Sequence, residues 1–384
     1  MNRRDFLTGA VTGVVVGAGG TYAVMQGVRQ TEMVAEAPAQ SQAPTAPAIN
    51  TGMRELKMVT TWPKDFPGLG TGAQRVADRI TAMTGGKISV KLYAAGELVP
   101  PFESFDAVSN GTADIYHGAE YYWQGKNKAF NFFTTVPLGY TALELNGWIH
   151  FGGGQELWDE LAGGFNIKPL MAGNTGVQMG GWFTKEINTI EDLKGLKMRI
   201  PGLGGEVLRR LGVSAVALPG GEIFPALQSG AIDATEWVGP WNDLAFGFYK
   251  VTKFYYYPGF HEPGSGLSLG INKGVWDSFT KEEQEMVKAA AWSENDIMMA
   301  EFFARNGDAL DTLVNEHGVQ LRKFSPEIFG AIVKSSVEVV NEVGAADDIG
   351  RRVLESYNSF NKKVTRWTEL SEAAYANHRA QSQS

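Results

Sequence analysis

The sequence contains no cysteine among its 384 residues. This absence excludes disulfide bonds, thiol catalysis, thiolate metal sites and a lipidated N-terminal cysteine. An excess of basic residues is also absent, because 34 Lys and Arg residues stand against 42 Asp and Glu residues and the net charge is −8. This balance argues against nucleic acid or anionic lipid as the main partner, since both require a basic face. A small anionic ligand stays possible, because its binding depends on the local field.

Sequence motifs for common catalytic sites are absent or incomplete. There is no phosphate-binding Walker loop and no zinc-binding HExxH motif. Residues 202–205 resemble a dinucleotide-binding loop, but Val207 stands where a third small residue is expected. Ser268 lies in a Gly-x-Ser-x-Gly pattern, yet the flanking residues predict a strand interior and not the sharp turn of a hydrolase nucleophile. The five histidines lack ligand spacing and are interpreted as structural: His117, His150, His261, His317 and His378.

The N-terminus carries an export pattern. Arg3 and Arg4 precede a mildly apolar run over residues 9–25, whose Gly, Ala and Thr content suits a twin-arginine (Tat) signal better than a membrane span. We predict a Tat signal or uncleaved anchor over residues 1–34 and an extended Ala/Pro-rich linker over residues 35–52. The alternative is an ordinary basic start before a short apolar helix. No later stretch is apolar enough to span a bilayer.

Hydrophobic periodicity predicts an α/β fold. Residues 56–116 alternate between strand and helix patterns in the order β-α-β-α-β, which predicts a parallel sheet covered by helices. A second α/β unit is predicted between residues 167 and 271. Long helices without intervening strands are then predicted over residues 282–313, 326–343 and 349–378. The sequence therefore predicts two α/β lobes followed by a helical tail.

Aromatic residues follow the third predicted strand, at the place where ligands bind in many α/β proteins. Tyr121, Tyr122 and Trp123 come shortly after the strand at residues 114–116. Ligand crevices in open α/β sheets lie beyond the carboxyl ends of the strands. These side chains either line such a crevice or pack at a domain edge.

Three motifs between residues 174 and 240 each place one strongly polar side chain in a small or apolar run. The polar residues are Gln178, Arg199 and Glu236. A buried side chain of this kind needs a partner. An apolar pocket with a few convergent polar groups is the usual way to hold a small polar ligand.

The chemistry of these side chains leaves alternatives open. Arg199 is either a surface charge or a buried guanidinium fork that matches the two oxygens of a carboxylate. Glu236 and Gln178 each follow a strand-like segment and precede a tryptophan. Their oxygens suit a hard cation such as Na⁺ or Ca²⁺, and the alternative is a Glu–Gln hydrogen bond across a domain edge.

The chain resembles the solute-binding proteins of TRAP (tripartite ATP-independent periplasmic) transporters, in the group that binds 2-oxo monocarboxylates. The resemblance covers nearly all of residues 53–375. It is carried by short strings at residues 95–100, 174–183, 195–199, 233–240, 247–251 and 255–259.

The resemblance implies a ligand set. Arg199 is expected to pair with the substrate carboxylate. A bound Na⁺ or Ca²⁺ is expected to bridge protein and substrate through Gln178, Glu236 and the main-chain oxygen of Trp237, and no organic cofactor is expected. The segment at residues 260–266 departs from the aromatic-rich pattern of the group, so the side-chain preference for the ligand stays open.

Further substrate contacts are expected from four residues, two as hydrogen-bond partners and two as pocket walls: Tyr121 and Asn174, then Trp182 and Phe183. Lobe I is predicted to comprise residues 53–176 and 266–305, and lobe II residues 177–265 and 306–384. Closure of the lobes on the ligand and a homodimer through the C-terminal helices are also implied by the resemblance.

The sequence thus predicts a periplasmic receptor that performs no chemistry. It is expected to capture a small 2-oxo or 2-hydroxy monocarboxylate, such as pyruvate or lactate, with a cation, and to deliver it to the membrane subunits of a TRAP transporter. Nucleic acid is not an expected partner. Two alternatives are a membrane-tethered ligand sensor of the same fold and a periplasmic hydrolase that uses Ser268.

Overall fold

Two β-sheets organise residues 52–382, the part of the chain that the computed structural model describes. The predicted export segment and nearly all of the predicted linker lie outside the described residues. The strands are β1 (Arg54–Thr60), β2 (Ile88–Tyr93), β3 (Ile115–Gly118), β4 (Ile167–Asn174), β5 (Gly181–Phe183), β6 (Lys197–Arg199), β7 (Ser214–Val216), β8 (Ala234–Thr235), β9 (Phe254–Tyr257), β10 (Gly266–Asn272) and β11 (Gln320–Lys323).

Helices pack on both sheets and form the C-terminal part of the chain. They are α1 (Leu69–Met83), α2 (Ser104–Ser109), α3 (Ala142–Phe151), α4 (Gly154–Gly163), α5 (Gly202–Arg210), α6 (Gly220–Gln228), α7 (Pro240–Phe246), α8 (Lys273–Asp277), α9 (Lys281–Asp311), α10 (Pro326–Gly344), α11 (Asp348–Thr368) and α12 (Ala374–Ser382). Short π-helical turns follow α9 and α11. None of the helices described is both long and apolar enough to cross a membrane.

The first sheet has the strand order β2-β1-β3-β10-β4. Strand β1 pairs in parallel with β2 and β3, as the β-α-β-α-β pattern predicts. Strand β10, however, runs antiparallel between β3 and β4. The prediction of a parallel sheet was therefore incomplete, because a strand from about 90 residues beyond β4 returns to this sheet, which local periodicity cannot reveal.

The second sheet has the strand order β11-β9-β5-β8-β6-β7. The prediction that no strand interrupts the C-terminal helices was wrong, since β11 pairs in parallel with β9 at the sheet edge. Its sequence, Gln-Leu-Arg-Lys, has a single apolar residue and therefore no strand-like alternation. Strand β5 is central and pairs antiparallel with β8 and β9.

Glycines allow α5 to begin directly after β6. Helix α5 begins at Gly202, whose φ of +63° favours glycine. A Cβ atom on Gly204 would lie 2.6 Å from the Cβ atom of His261, and one on Gly205 would lie 2.5 Å from the carbonyl oxygen of Ile200. The glycines therefore let α5 pack closely against the segment that carries His261.

The chain passes from one sheet to the other through three connections. Residues 175–180 join β4 to β5, residues 258–265 join β9 to β10, and α9 with its following turn leads to β11. We call residues 175–180 the first crossing segment and residues 258–265 the second crossing segment. The two run side by side, because the backbone N–H of Gln178 donates to the carbonyl of Glu262 (3.1 Å) and that of Gly259 donates to the carbonyl of Gln178 (2.9 Å).

Candidate functional site

A small cavity lies where the carboxyl ends of strands and the two crossing segments meet. Its walls are mostly aromatic and aliphatic, with a few polar side chains from the crossing segments. This composition is typical of a small-ligand site. The lining residues are Trp62, Leu69, Tyr121, Tyr122, Thr175, Gln178, Trp237, Val238, Ser265 and Leu267.

Arg199 is fully buried beside this cavity, at the end of β6. Its Nη1 atom forms an ion pair with Glu236 and also donates to the Glu236 carbonyl (3.2 Å), while Nε donates to the Leu218 carbonyl (3.1 Å). Nη2 lies 3.5 Å from the hydroxyl of Tyr122, at the long limit of a hydrogen bond. Nη2 is therefore the nitrogen with donor capacity to spare, and it faces a residue of the cavity wall.

The charge of Arg199 is compensated in its buried position. Burial is the largest influence and opposes the charged form, but Glu236 together with Tyr122, Tyr121 and Glu262 outweighs it, so the pKa of Arg199 lies above its ordinary value. The guanidinium carbon also lies 5.0 Å from the centre of the Trp237 ring. Such a cation–π contact adds to the attraction and orients the fork.

Gln178 presents a buried oxygen without a partner. Its side chain is 4% exposed, and its Nε2 donates to Glu262 Oε2 (2.8 Å) and Thr175 Oγ1 (3.0 Å). Its Oε1 has no hydrogen-bond partner among the described residues. An unpaired buried carbonyl oxygen is costly, so this atom is suited to a ligand or a cation.

Glu236 follows β8 and is surrounded by compensating groups. Its Oε1 pairs with Arg199, and its Oε2 lies 3.2 Å from Nε2 of His261. Burial is the largest influence and lowers the pKa of His261, but the hydrogen bond to Glu236 and the charges of Glu236 and Glu262 together outweigh it, so this pKa lies above its ordinary value. Burial, followed by the charge of Glu236, raises the pKa of Glu262 to about 7.

His261 and Glu262 were not predicted from the sequence. His261 was interpreted as structural, and the segment that carries both residues was noted only as a departure from the group pattern. In the structure, ligand-capable atoms of Glu236, His261 and Glu262 lie within 4.8 Å of one another, and all three residues are buried. The signal available in the sequence was that same departure, with two polar residues between Phe260 and Pro263.

The other predicted substrate and cation residues divide into those at the cavity and those behind it. Tyr121 and Trp237 line it, and Tyr121 follows β3 as predicted. Asn174 is buried at the end of β4, where its Oδ1 accepts from the backbone N–H of Gly176 (2.9 Å) and its Nδ2 has no partner among the described residues.

Trp182 and Phe183, predicted as pocket walls, are not among the lining residues. The Trp182 ring stacks on Tyr255 with centroids 4.0 Å apart, and Phe183 packs edge-on against Tyr256. Both lie on β5, whose three residues are all buried. In this structure both rings therefore pack against neighbouring strand residues and do not line the cavity.

Asp243 fixes the loop that carries Glu236 and Trp237. Its Oδ2 accepts from the Trp182 indole (2.9 Å) and the Tyr255 hydroxyl (2.6 Å), and its Oδ1 accepts from the backbone N–H of Val238 (3.3 Å). Burial raises the pKa of Asp243 to about 7. Trp182 thus contributes to the site indirectly, through a carboxyl group that holds the residue next to Trp237.

His117 orients one wall of the cavity. Its Nδ1 accepts from the indole N–H of Trp62 (2.8 Å), so its Nε2 carries the proton and donates to the carbonyl of Ala172 (3.1 Å). Burial lowers the pKa of His117 to about 4, which keeps the imidazole neutral. The structural interpretation of this histidine agrees with these contacts.

The donors present fit a hard cation. Gln178 offers an unpartnered carbonyl oxygen, and Glu236 offers carboxylate oxygens on the neighbouring element. Oxygen ligands of this kind suit Na⁺ or Ca²⁺. No organic cofactor is needed to account for the cavity, whose volume is small.

Comparison with known proteins gives a consistent set of relatives. Residues 58–347 match the family described as bacterial extracellular solute-binding protein, family 7 (DctP). The chain is 44% identical over 338 residues to a monocarboxylate 2-oxoacid-binding periplasmic protein of Nostoc sp., which covers 88% of this chain and 92% of that protein.

Two solved structures are similar over nearly their whole length. A TRAP periplasmic solute-binding protein from Pseudoalteromonas atlantica, with bound sodium and pyruvate, is 38% identical with a TM-score of 0.82, over 85% of this chain and 99% of that chain. A TRAP transporter solute-binding protein from Bordetella bronchiseptica, with copurified calcium and picolinate, is 36% identical with a TM-score of 0.84, over 86% of this chain and 98% of that chain.

Proposed function

The chain belongs to family 7 of the bacterial extracellular solute-binding proteins, and we propose that it captures a small 2-oxo or 2-hydroxy monocarboxylate together with a cation. As the solute-binding component of a TRAP transporter, it delivers this ligand to the membrane subunits. The observation that carries the proposal is a cavity lined by the unpartnered oxygen of Gln178 and by Tyr122, whose hydroxyl faces the buried Arg199 guanidinium. A guanidinium fork and a cation-ligating oxygen suit an acid that carries a second oxygen beside its carboxylate.

The chemistry of the relatives' ligands supports this class. Pyruvate and picolinate each carry a carboxylate and a donor atom on the adjacent carbon, so each can chelate one cation. Lactate has the same arrangement with a hydroxyl oxygen. The small cavity with its mostly apolar walls favours a short acid over a sugar acid.

The roles of the side chains follow from their contacts. Nη2 of Arg199 donates to the ligand carboxylate, with Tyr121 and Asn174 as additional hydrogen-bonding groups. Gln178, Glu236 and the main-chain oxygen of Trp237 would hold the cation. When bound, the cation supplies positive charge that offsets the repulsion between Glu236 and an anionic ligand.

The test is titration calorimetry on protein treated with chelator and desalted. Pyruvate is titrated in NaCl, in CaCl₂ and in choline chloride at equal ionic strength, with acetate as the matched ligand that lacks the second oxygen. We expect tight pyruvate binding only with Na⁺ or Ca²⁺, and no measurable acetate binding. If pyruvate binds as tightly in choline chloride as in NaCl or CaCl₂, the proposed cation is refuted. If acetate binds as tightly as pyruvate, the proposed preference for a chelating acid is refuted.

Binding without turnover is the second part of the proposal. The hydroxyl of Ser268, the candidate nucleophile of the hydrolase alternative, is buried in β10 and donates to the carbonyl of Gly118 (3.1 Å). A hydroxyl held this way supports a structural role. Proton NMR of pyruvate incubated with the protein, and a generic ester assay, should show no product; turnover that disappears in Ser268→Ala would favour the hydrolase instead.

Export by the Tat system, with either release or tethering, is proposed from Arg3 and Arg4 and from the extracytoplasmic family. N-terminal sequencing of the protein from a periplasmic fraction distinguishes the forms. A start near residue 40 indicates cleavage, whereas an intact N-terminus in the membrane fraction favours the tethered form or a sensor. Substitution of both arginines with lysine should stop export.

A homodimer through the C-terminal helices is proposed from exposed apolar side chains. Trp367, Leu370 and Tyr375 are 68%, 70% and 65% exposed, and an apolar group of this size on a helix end commonly marks an interface. Native mass spectrometry should show a dimer that the triple serine variant converts to a monomer. A monomeric wild-type protein at micromolar concentration would end this part of the proposal.

A further inference from the structure

A buried asparagine, Asn131, has one half of its amide group unpaired. The residue is fully buried, and its Nδ2 donates to the carbonyl of Lys128 (2.8 Å) and to Oε1 of Gln124 (3.2 Å). These two hydrogen bonds fix the plane of the amide and therefore the direction of Oδ1. Oδ1 itself has no hydrogen-bond partner among the described residues. A buried acceptor without a partner is costly, so this oxygen requires an explanation.

Helix α5 presents unused donors at the same place. The first N–H groups of a helix have no acceptor within the helix, and no side chain among the described residues caps those of α5. The residues that carry them, Gly202, Leu203 and Gly204, are buried. A Cβ atom on Gly202 would lie 3.2 Å from Asn131 Oδ1 and 3.3 Å from Tyr121 Cβ. A buried helix start with free donors thus lies against a buried acceptor that is unpaired.

Asn131 and α5 belong to different sheets. Asn131 lies between β3 of the first sheet and α3, whereas α5 follows β6 of the second sheet. The two sheets are joined by three connections, and neither Asn131 nor α5 is part of one. Movement of one sheet relative to the other therefore changes the distance between Asn131 and α5.

Asn242 forms a contact between the sheets in the opposite direction. It lies on α7, after β8 of the second sheet, and its Nδ2 donates to the carbonyl of Pro67, which precedes α1 (3.0 Å). Asn242 is also fully buried. The neighbouring Phe66 stacks on Phe246 with ring centroids 4.3 Å apart. None of these four residues lines the cavity, so this contact between the sheets does not depend on touching the ligand.

We propose that Asn131 and Asn242 form closure contacts, which are hydrogen bonds that stabilise the closed arrangement of the two sheets around the ligand. Asn242 donates to Pro67, and Asn131 Oδ1 caps the N-terminus of α5 when the sheets approach each other. Asparagine is among the preferred N-cap residues, and the helix dipole adds to the attraction. The inference rests on the proposed function, because it requires a ligand that binds between the sheets.

A closure contact changes the affinity for every ligand by the same factor. The apparent affinity depends on the population of the state that is competent to hold the ligand. Because neither asparagine lines the cavity, its loss lowers that population equally for all ligands and increases the rate of ligand dissociation. Loss of a direct ligand contact would instead change the affinities of different acids by different factors.

Titration calorimetry with pyruvate, 2-oxobutyrate and lactate, in NaCl or CaCl₂, compares three variants with the wild type. Asn131→Leu keeps a similar size and removes Oδ1, and Asn242→Leu removes the hydrogen bond to Pro67. Gln124→Met is the matched control, because it removes an acceptor of Asn131 Nδ2 and leaves Oδ1 in place. We expect each asparagine variant to bind all three acids roughly 3- to 10-fold more weakly, as for the loss of one hydrogen bond, and Gln124→Met to bind them as tightly as the wild type.

A distance measurement reports closure directly. Because the chain contains no cysteine, spin labels attach only at two introduced positions, Ala82→Cys on α1 and Ser229→Cys after α6, both of which are exposed. Pulsed electron paramagnetic resonance with saturating pyruvate should show the shorter distance of the closed form in the wild-type and Gln124→Met backgrounds. In the Asn131→Leu and Asn242→Leu backgrounds, the longer distance of the ligand-free protein should persist in part.

Several results would overturn the proposal. Wild-type affinity in Asn131→Leu refutes the cap on α5, and wild-type affinity in both asparagine variants refutes the closure contacts altogether. Factors that differ among the three acids would assign Asn131 to the ligand pocket instead. An equal loss in Gln124→Met would attribute the effect to the local fold of residues 128–133.

Two further comparisons keep the outcomes distinct. Should Asn131→Leu not fold, Asn131→Ala takes its place, and the label distances in Asn242→Leu test the second contact independently. A wild-type protein that binds none of the three acids defeats the proposed function. Normal wild-type binding, together with wild-type affinities and label distances in the asparagine variants, defeats only the closure contacts.

Discussion

Replacing Arg199 with lysine separates the charge of this residue from its shape. The guanidinium contacts three groups at once: the Leu218 carbonyl, Glu236 and the Tyr122 hydroxyl. A lysine ammonium is a single nitrogen on a flexible stem, so it can pair with Glu236 but cannot also reach the cavity. Arg199→Lys should therefore keep the fold while losing the donor that Nη2 offers to the ligand.

The magnitude follows from the lost hydrogen bond. A hydrogen bond to a charged group contributes about 1.5–3 kcal/mol, so pyruvate affinity should fall roughly 10- to 150-fold. The free energy of unfolding should fall less than in Arg199→Ala, which leaves the Glu236 carboxylate buried without its partner at a cost of about 3–5 kcal/mol. The double variant Arg199→Ala, Glu236→Gln should recover part of that stability without recovering binding.

Titration calorimetry with pyruvate and urea unfolding measure the two quantities separately. Arg210→Lys is the matched control, because Arg210 pairs with Glu338 and Glu342 near the surface and should change either quantity by under about 1 kcal/mol. Wild-type affinity in Arg199→Lys, or in the double variant, would refute the role of the guanidinium.

Three further predictions concern residues around the cavity. Gln178→Met removes the unpartnered oxygen at similar length and should weaken cation affinity about 10- to 100-fold in calorimetry. Because it also removes the hydrogen bonds to Thr175 and Glu262, the free energy of unfolding in urea should fall by about 1–3 kcal/mol. Asp243→Asn should lower the free energy of unfolding by about 1–3 kcal/mol and weaken cation-dependent pyruvate binding; stability loss with unchanged binding would limit Asp243 to the core. The pKa of His117 falls from 6.5 unfolded to about 4 folded, so the unfolded state binds more protons between these values and stability should decline as the pH falls through that window. Urea unfolding at pH 7 and pH 4 should differ by roughly 3 kcal/mol from this group, and His117→Gln should remove that share.

Much of the site could be predicted because its polar residues interrupt apolar runs. Arg199, Gln178 and Glu236 are conspicuous for that reason. In the structure Arg199 pairs with Glu236, and Gln178 donates to Glu262, which lies near Glu236. Tyr121 and Tyr122 follow from the rule that ligands lie beyond the carboxyl ends of strands. Local chemistry singled out these residues, and the resemblance to TRAP solute-binding proteins supplied their expected roles.

The rest depended on packing between distant segments. His261 and Glu262 lie on an irregular connection without periodicity, and only the neighbouring first crossing segment brings Glu262 to Gln178. Trp182 and Phe183 lie on a strand buried on both faces, where alternation cannot tell which face is closer to a ligand. The antiparallel insertion of the strand over residues 266–272 likewise depends on the return path of the chain.

The two crossing segments carry donors of the site and are also the links about which the two sheets could swing. Gln178 on the first crossing segment donates to Glu262 on the second. A ligand bound at Gln178 would therefore restrict the movement of the two crossing segments relative to each other. Ligand binding would then make the connection between the two sheets more rigid, in addition to closing the lobes. A membrane subunit that contacts both lobes would then distinguish the ligand-bound from the ligand-free receptor by its rigidity, without contacting the ligand.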